Sequence, residues 1–160
     1  MRWVLIDQLL ECVPGRRAVA VKTFPMSDMM FVPGFQTHPA VPELLLIESV
    51  AQAAAKSLRL FRPDMLTMLV SIKSARFLEP VLAGDRCRIQ VDIVAREKYA
   101  VESGVVDVDG VRALETELLV VFAPRPVVEA PEQDVIINAW RRRRMNHLES
   151  LRTTEVPLLG

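Results

Sequence analysis

Glu48, Gln52 and Lys56 interrupt a stretch otherwise made, Ser49 apart, of Leu44 to Ile47, Val50, Ala51 and Ala53 to Ala55. Their i, i+4, i+8 spacing stacks them on one stripe of a helix. A carboxyl set among apolar side chains resists ionisation, so its pKa rises toward the range that suits a general acid. Glu48 is therefore the candidate acid. Without burial, the same residues form a solvent-facing stripe on a half-exposed helix.

A base is harder to place. His38 is ten residues before Glu48, in a loop that could carry it toward the start of the helix. Between Thr37 and Pro39 it also reads as an ordinary loop or capping residue. His147 stands alone in the terminal segment. Ser49 and Ser57 have neither a nucleophile elbow nor a base at helical spacing, which argues against a serine mechanism. Cys12 and Cys87 form no CxxC pattern and have no histidine cluster nearby, so reduced packing cysteines are expected, with no metal and no cofactor.

The elements that must position Glu48 follow from pattern and punctuation. Ala18 to Phe24 alternates as a first strand, and a Pro/Gly-rich loop runs from Pro25 to about Ala40. Pro42 suits a helix start, and the helix should extend to about Leu60. A helix apolar over nearly its whole circumference is normally buried. Period-two stretches then follow: Leu69 to Phe77, Asp85 to Arg96, Val101 to Val108 and Arg112 to Phe122. Asp109-Gly110 between the last two suits a type I′ hairpin. One strand, one long helix and a series of strands joined by short turns predict an α+β fold, an antiparallel sheet wrapped around the helix.

From Pro124 to Pro131 prolines end the sheet. Residues from about 132 to 151 read as a terminal helix, with Ile137, Trp140, Leu148 and Leu151 near one face. The domain division expected is 1–126 for the sheet-and-helix unit and 127–160 for a helical extension. Arginines 141 to 144 wrap around that helix, as a solvated helix or as a local contact for an acidic partner.

Composition bounds the partners. Twenty basic and twenty acidic residues cancel over 160 residues, 51% of them apolar. That balance gives a globular chain with no field to draw in nucleic acid or an anionic membrane. No basic-aromatic pattern or glycine-rich phosphate loop is present, and no window has the roughly 18 apolar residues of a span. The expected location is cytoplasmic.

The segment Phe31-Val-Pro-Gly-Phe-Gln-Thr-His-Pro-Ala-Val-Pro-Glu-Leu-Leu-Leu-Ile-Glu-Ser-Val-Ala-Gln52 resembles the active-site signature of bacterial 3-hydroxyacyl-ACP dehydratases of the FabZ and FabA type. Ile72-Lys-Ser-Ala-Arg-Phe-Leu-Glu-Pro-Val-Leu-Ala-Gly-Asp85 is similar to that family's second motif, and Asp107-Val-Asp-Gly110 to its later hairpin. The likeness covers about residues 3 to 123.

It implies a hot-dog fold, a dimer, and acyl thioesters of acyl carrier protein or coenzyme A as substrates in fatty-acid or polyketide-type metabolism. It also makes Glu48 the acid for the departing hydroxyl, Gln52 the residue that orients it, and Gly34, Phe35, Thr37 and Phe77 substrate contacts. The family's histidine base stands fourteen residues before the carboxylate, where this chain has Gly34. Thr37 and Glu43 replace two signature glycines, the first of which presents an amide to the thioester oxygen. The resemblance thus implies a dehydratase-like lyase that is weak alone, with His38 or a partner chain's histidine as base. Two alternatives stay open: a non-catalytic acyl-binding subunit of a heterodimer, and a thioesterase in which Glu48 activates water.

Overall fold

The computed structural model describes residues 4–27 and 40–124. The helical extension expected beyond residue 127 lies outside them, as do Gly34, Phe35, Thr37 and His38. Within the described residues six strands and one helix follow the order β1 (Gln8–Val13), β2 (Arg17–Thr23), α1 (Glu43–Phe61), β3 (Met65–Phe77), β4 (Arg86–Ala95), β5 (Tyr99–Val108) and β6 (Val111–Pro124).

The strands form one antiparallel sheet in the order β1-β2-β4-β5-β6-β3. Strand β1 was not anticipated, because Asp7 and Glu11 break the apolar pattern of its segment. Strand β3 also starts four residues earlier than its alternation suggested, paired to the end of β6 through Met65 and Pro124.

Period two governs the sheet as expected. On β4 the side chains of Cys87, Ile89, Val91 and Ile93 are buried, while Arg88, Asp92 and Val94 point out. Asp109 and Gly110 both have positive φ, 50° and 83°, which a type I′ turn requires.

The inner face of the sheet curves around α1, which buries Leu46, Ile47, Val50, Ala53, Ala54, Leu58 and Leu60. Gly104 lets the helix approach closely: a Cβ there would meet Val50 Cγ1 at 2.2 Å. The opposite side of α1 is open. Leu44 is 69% exposed and Glu48 is exposed, so the all-round burial inferred from composition does not hold for the single chain. Apolarity alone does not say which molecule does the covering.

Two hydroxyls that invited a hydrolase reading are structural. Ser49 Oγ donates to Leu45 O, and Ser57 Oγ donates to Val13 O while accepting from Gly15 N. Cys12 and Cys87 are free and buried, and burial pushes the Cys87 thiol up to about 12.

Candidate active site

The turn that carries the second motif holds the chain on both sides of residues 28–39. Phe24 O accepts a hydrogen bond from Gly84 N at 2.8 Å, just before the loop. Val41 N donates to Val81 O at 2.8 Å, just after it, and Ala40 bridges Leu82. The turn is itself fixed by Asp85, whose carboxylate accepts from Leu82 N at 2.7 Å. Phe24 and Val81 are buried, so these ties sit on the core. Two motifs some forty residues apart in sequence therefore meet at the start of α1.

On α1, Gln52 Nε2 donates to Glu48 Oε1 at 2.9 Å. The other end of the same amide accepts from Leu5 N at 3.0 Å. Because the carbonyl oxygen is committed to a backbone N–H, the NH₂ group must face Glu48, and only a carboxylate oxygen or other acceptor suits that position. Gln52 thus sets the carboxylate's rotamer from one helical turn away. Glu48 itself is exposed in the single chain, which corrects the expectation of a carboxyl buried within its own domain.

Phe77 ends β3 on the inner face, opposite Leu114. It is partly open, as are Leu69 and Ile72 on the same face of this edge strand. These side chains form an uncovered apolar margin on β3, and Leu44 on α1 is open as well.

A second carboxyl escaped the motif-based reading. Glu102 on β5 is 0% exposed, and neither of its oxygens has a hydrogen-bond partner. It stands between Ala100 and Gly104 on the inner face, opposite Ile93 on β4 and Leu118 on β6. Burial pushes its pKa up to about 8. Its inward position was readable, since residues 100, 102, 104 and 106 share one face of a strand. Among the described residues no group of acids, cysteines and histidines could hold a metal ion.

The arrangement is a hot-dog fold, a curved antiparallel sheet around one long helix, with a carboxylate oriented by Gln52 on that helix. A family model described as a FabA-like domain matches residues 2–117. The chain is 37% identical over 123 residues to a 3-hydroxyacyl-[acyl-carrier-protein] dehydratase FabZ of Myxococcus xanthus, covering 73% of this chain and 80% of that one. It is also 37% identical over 130 residues to the protein of the same name from Anaeromyxobacter sp. strain K, covering 77% and 83%.

Similar solved structures include a dehydratase heterocomplex, ApeI:P, from Xenorhabdus doucetiae, with a TM-score of 0.60, 19% identity, and coverage of 85% and 89%. A Streptococcus mutans protein bound to acetyl CoA has a TM-score of 0.61, 9% identity, and coverage of 78% and 94%. At such identities these two bear on the fold alone. The chain belongs to the FabA-like family.

Proposed function

We propose that this protein is a dehydratase-like member of its family that acts on 3-hydroxyacyl thioesters of acyl carrier protein or coenzyme A. The observation that carries the reading is the Leu5–Gln52–Glu48 chain of hydrogen bonds, which presents one carboxyl group in a fixed orientation at the first third of α1. In its protonated form Glu48 gives its proton to the 3-hydroxyl as the C3–O bond breaks. A base takes the C2 proton, the C2–H electron pair becomes the C2=C3 bond, and water leaves.

Two copies of the chain, or this chain and a second hot-dog chain, pack so that the apolar margin of Leu69, Ile72, Phe77 and Leu44 is covered. That contact places a base from the partner, or His38 from the loop, against Glu48. Gly34 occupies the position of the family's histidine, so turnover by the chain alone is slow.

The test is turnover of a 3-hydroxyacyl thioester by the purified chain and three variants. Gly34→His should raise the rate by about 10²–10⁴-fold, the usual contribution of a positioned base. Glu48→Gln should abolish the gain, and His38→Ala should remove what the unaltered chain achieves alone. Rapid turnover by the unaltered chain that survives His38→Ala would overturn the reading.

A further inference from the structure

We propose that Asp7 is a positioning residue for Glu48, acting through Leu5 and Gln52. The inference rests on the reading of Glu48 as the acid and adds to it a residue from the other end of a hydrogen-bonded path. Asp7 lies just before β1, and three consecutive residues of β2 hold it. Its N–H donates to Val21 O at 2.9 Å, its Oδ2 accepts from Thr23 N at 2.7 Å, and its Oδ1 accepts from Lys22 Nζ at 2.9 Å. Two residues earlier, Leu5 N donates to Gln52 Oε1, and Gln52 Nε2 donates to Glu48 Oε1. The backbone that Asp7 fixes to β2 is thus the backbone that orients Glu48.

Burial alone does not set that position. Leu5 and Ile6 are 3% and 2% exposed, which keeps the segment on the core. Apolar contact is non-directional, so it fixes depth and leaves the segment free to slide along its length. A hydrogen bond to a single amide oxygen tolerates only about 0.5 Å of displacement. The ladder of β1 cannot supply such precision. It is an edge strand whose one neighbour among the described residues is β2, and its pairing shifts between Leu9 and Glu11. The far part of the ladder is therefore out of step with its start, and the grip on Asp7 sets the start.

Lys22 is placed to maintain the grip. Its side chain is only 12% exposed, and its ammonium lies 5.6 Å from the centroid of the buried Phe24 ring. Phe24 O accepts from Gly84 N, in the turn that carries the second motif. The Asp7–Lys22 pair therefore stands between the segment that orients the acid and that turn.

The experiment follows Leu5 and turnover separately, in the full chain. By nitrogen-15 NMR, Asp7→Ala should speed hydrogen exchange of the Leu5 amide by about tenfold or more, with the amides of Ile89 and Val91 in β4 changed far less. Lys22→Met removes only the cation and should give the same pattern at about threefold. Asp7→Asn keeps an oxygen for Thr23 N and should restore most of the protection. In turnover of a 3-hydroxyacyl thioester, measured with and without Gly34→His, Asp7→Ala should lower kcat by about tenfold with KM unchanged, since a displaced reacting group costs rate rather than binding. In a Gln52→Ala background the same substitution should have almost no further effect, because the two residues act along one path.

Leu5 exchange that stays as in the parent, or that quickens only in step with Ile89 and Val91, would overturn the proposal. So would losses of kcat that multiply in full when Asp7→Ala and Gln52→Ala are combined. If Asp7→Ala does not fold, Lys22→Met carries the same comparison. Absence of turnover in every form would overturn the dehydratase reading instead, and Leu5 exchange would still decide whether Asp7 holds the path to Glu48.

Discussion

Gln52 holds Glu48 from one turn further along α1, its amide nitrogen 2.9 Å from Glu48 Oε1 while Leu5 N fixes its oxygen at 3.0 Å. Gln52→Glu would put two carboxylates side by side and leave the Leu5 bond possible. We therefore expect it to lower kcat by about 10-fold or more, with a changed pH profile, since neighbouring like charges raise one pKa. Gln52→Ala should cost activity and also about 1–3 kcal/mol of stability, because it orphans the Leu5 amide. Steady-state rates across pH, with denaturant unfolding of each variant, separate the two effects.

Glu102 should make stability depend on pH. In the unfolded chain its carboxyl loses a proton near the ordinary value of 4.5, whereas in the fold it does so at about 8. Between those values the folded state holds one proton more, so stability falls as pH rises and levels off above about 8. The slope is about 1.4 kcal/mol per pH unit at most and the whole loss is on the order of 5 kcal/mol. Glu102→Gln keeps the volume and cannot ionise, so urea unfolding at pH 5, 6.5 and 8 should show the slope in the parent only.

Gly104→Ala should destabilise the fold by about 1–3 kcal/mol, the usual cost of overpacking. The added methyl would lie 2.2 Å from Val50 Cγ1, so α1 must move off the sheet. Thermal unfolding measures the loss. Val50→Ala in the same chain should recover part of it, because it removes the methyls that clash.

The apolar margin on β3 should govern association. Ile72→Asp places a charge on the inner face of an edge strand where a partner is expected to pack, at a position already 44% exposed and therefore mild for the isolated chain. Light scattering should give a dimer for the parent and a particle of about 18.0 kDa for the variant. Retention of the dimer would locate the contact elsewhere.

Most of the fold could be read in the sequence because β4 and most of β5 alternate and Asp109-Gly110 marks the hairpin from β5 to β6. Strand β1 could not, since Asp7 just before it and Glu11 within it break the apolar run, and the exposed Leu10 and the register shift between Leu9 and Glu11 break its alternation. The pairing of Gln52 with Glu48 followed from i, i+4 spacing, but its anchor at Leu5, 47 residues away, is a tertiary contact that no local pattern encodes. The exposure of Glu48 eluded the sequence for a related reason. Composition records that a surface is apolar, and the same leucines and alanines suit a core or an interface between chains.

The chain on either side of residues 28–39 is held by Gly84 and Val81, through backbone atoms that any residue can supply. These ties place no demand on the identity of the residues between them. A histidine exchanged for glycine at position 34 would leave them intact, and so would the reverse exchange. A fold tied in this way can lose or regain one half of an active site while Glu48, on α1, stays where Gln52 holds it.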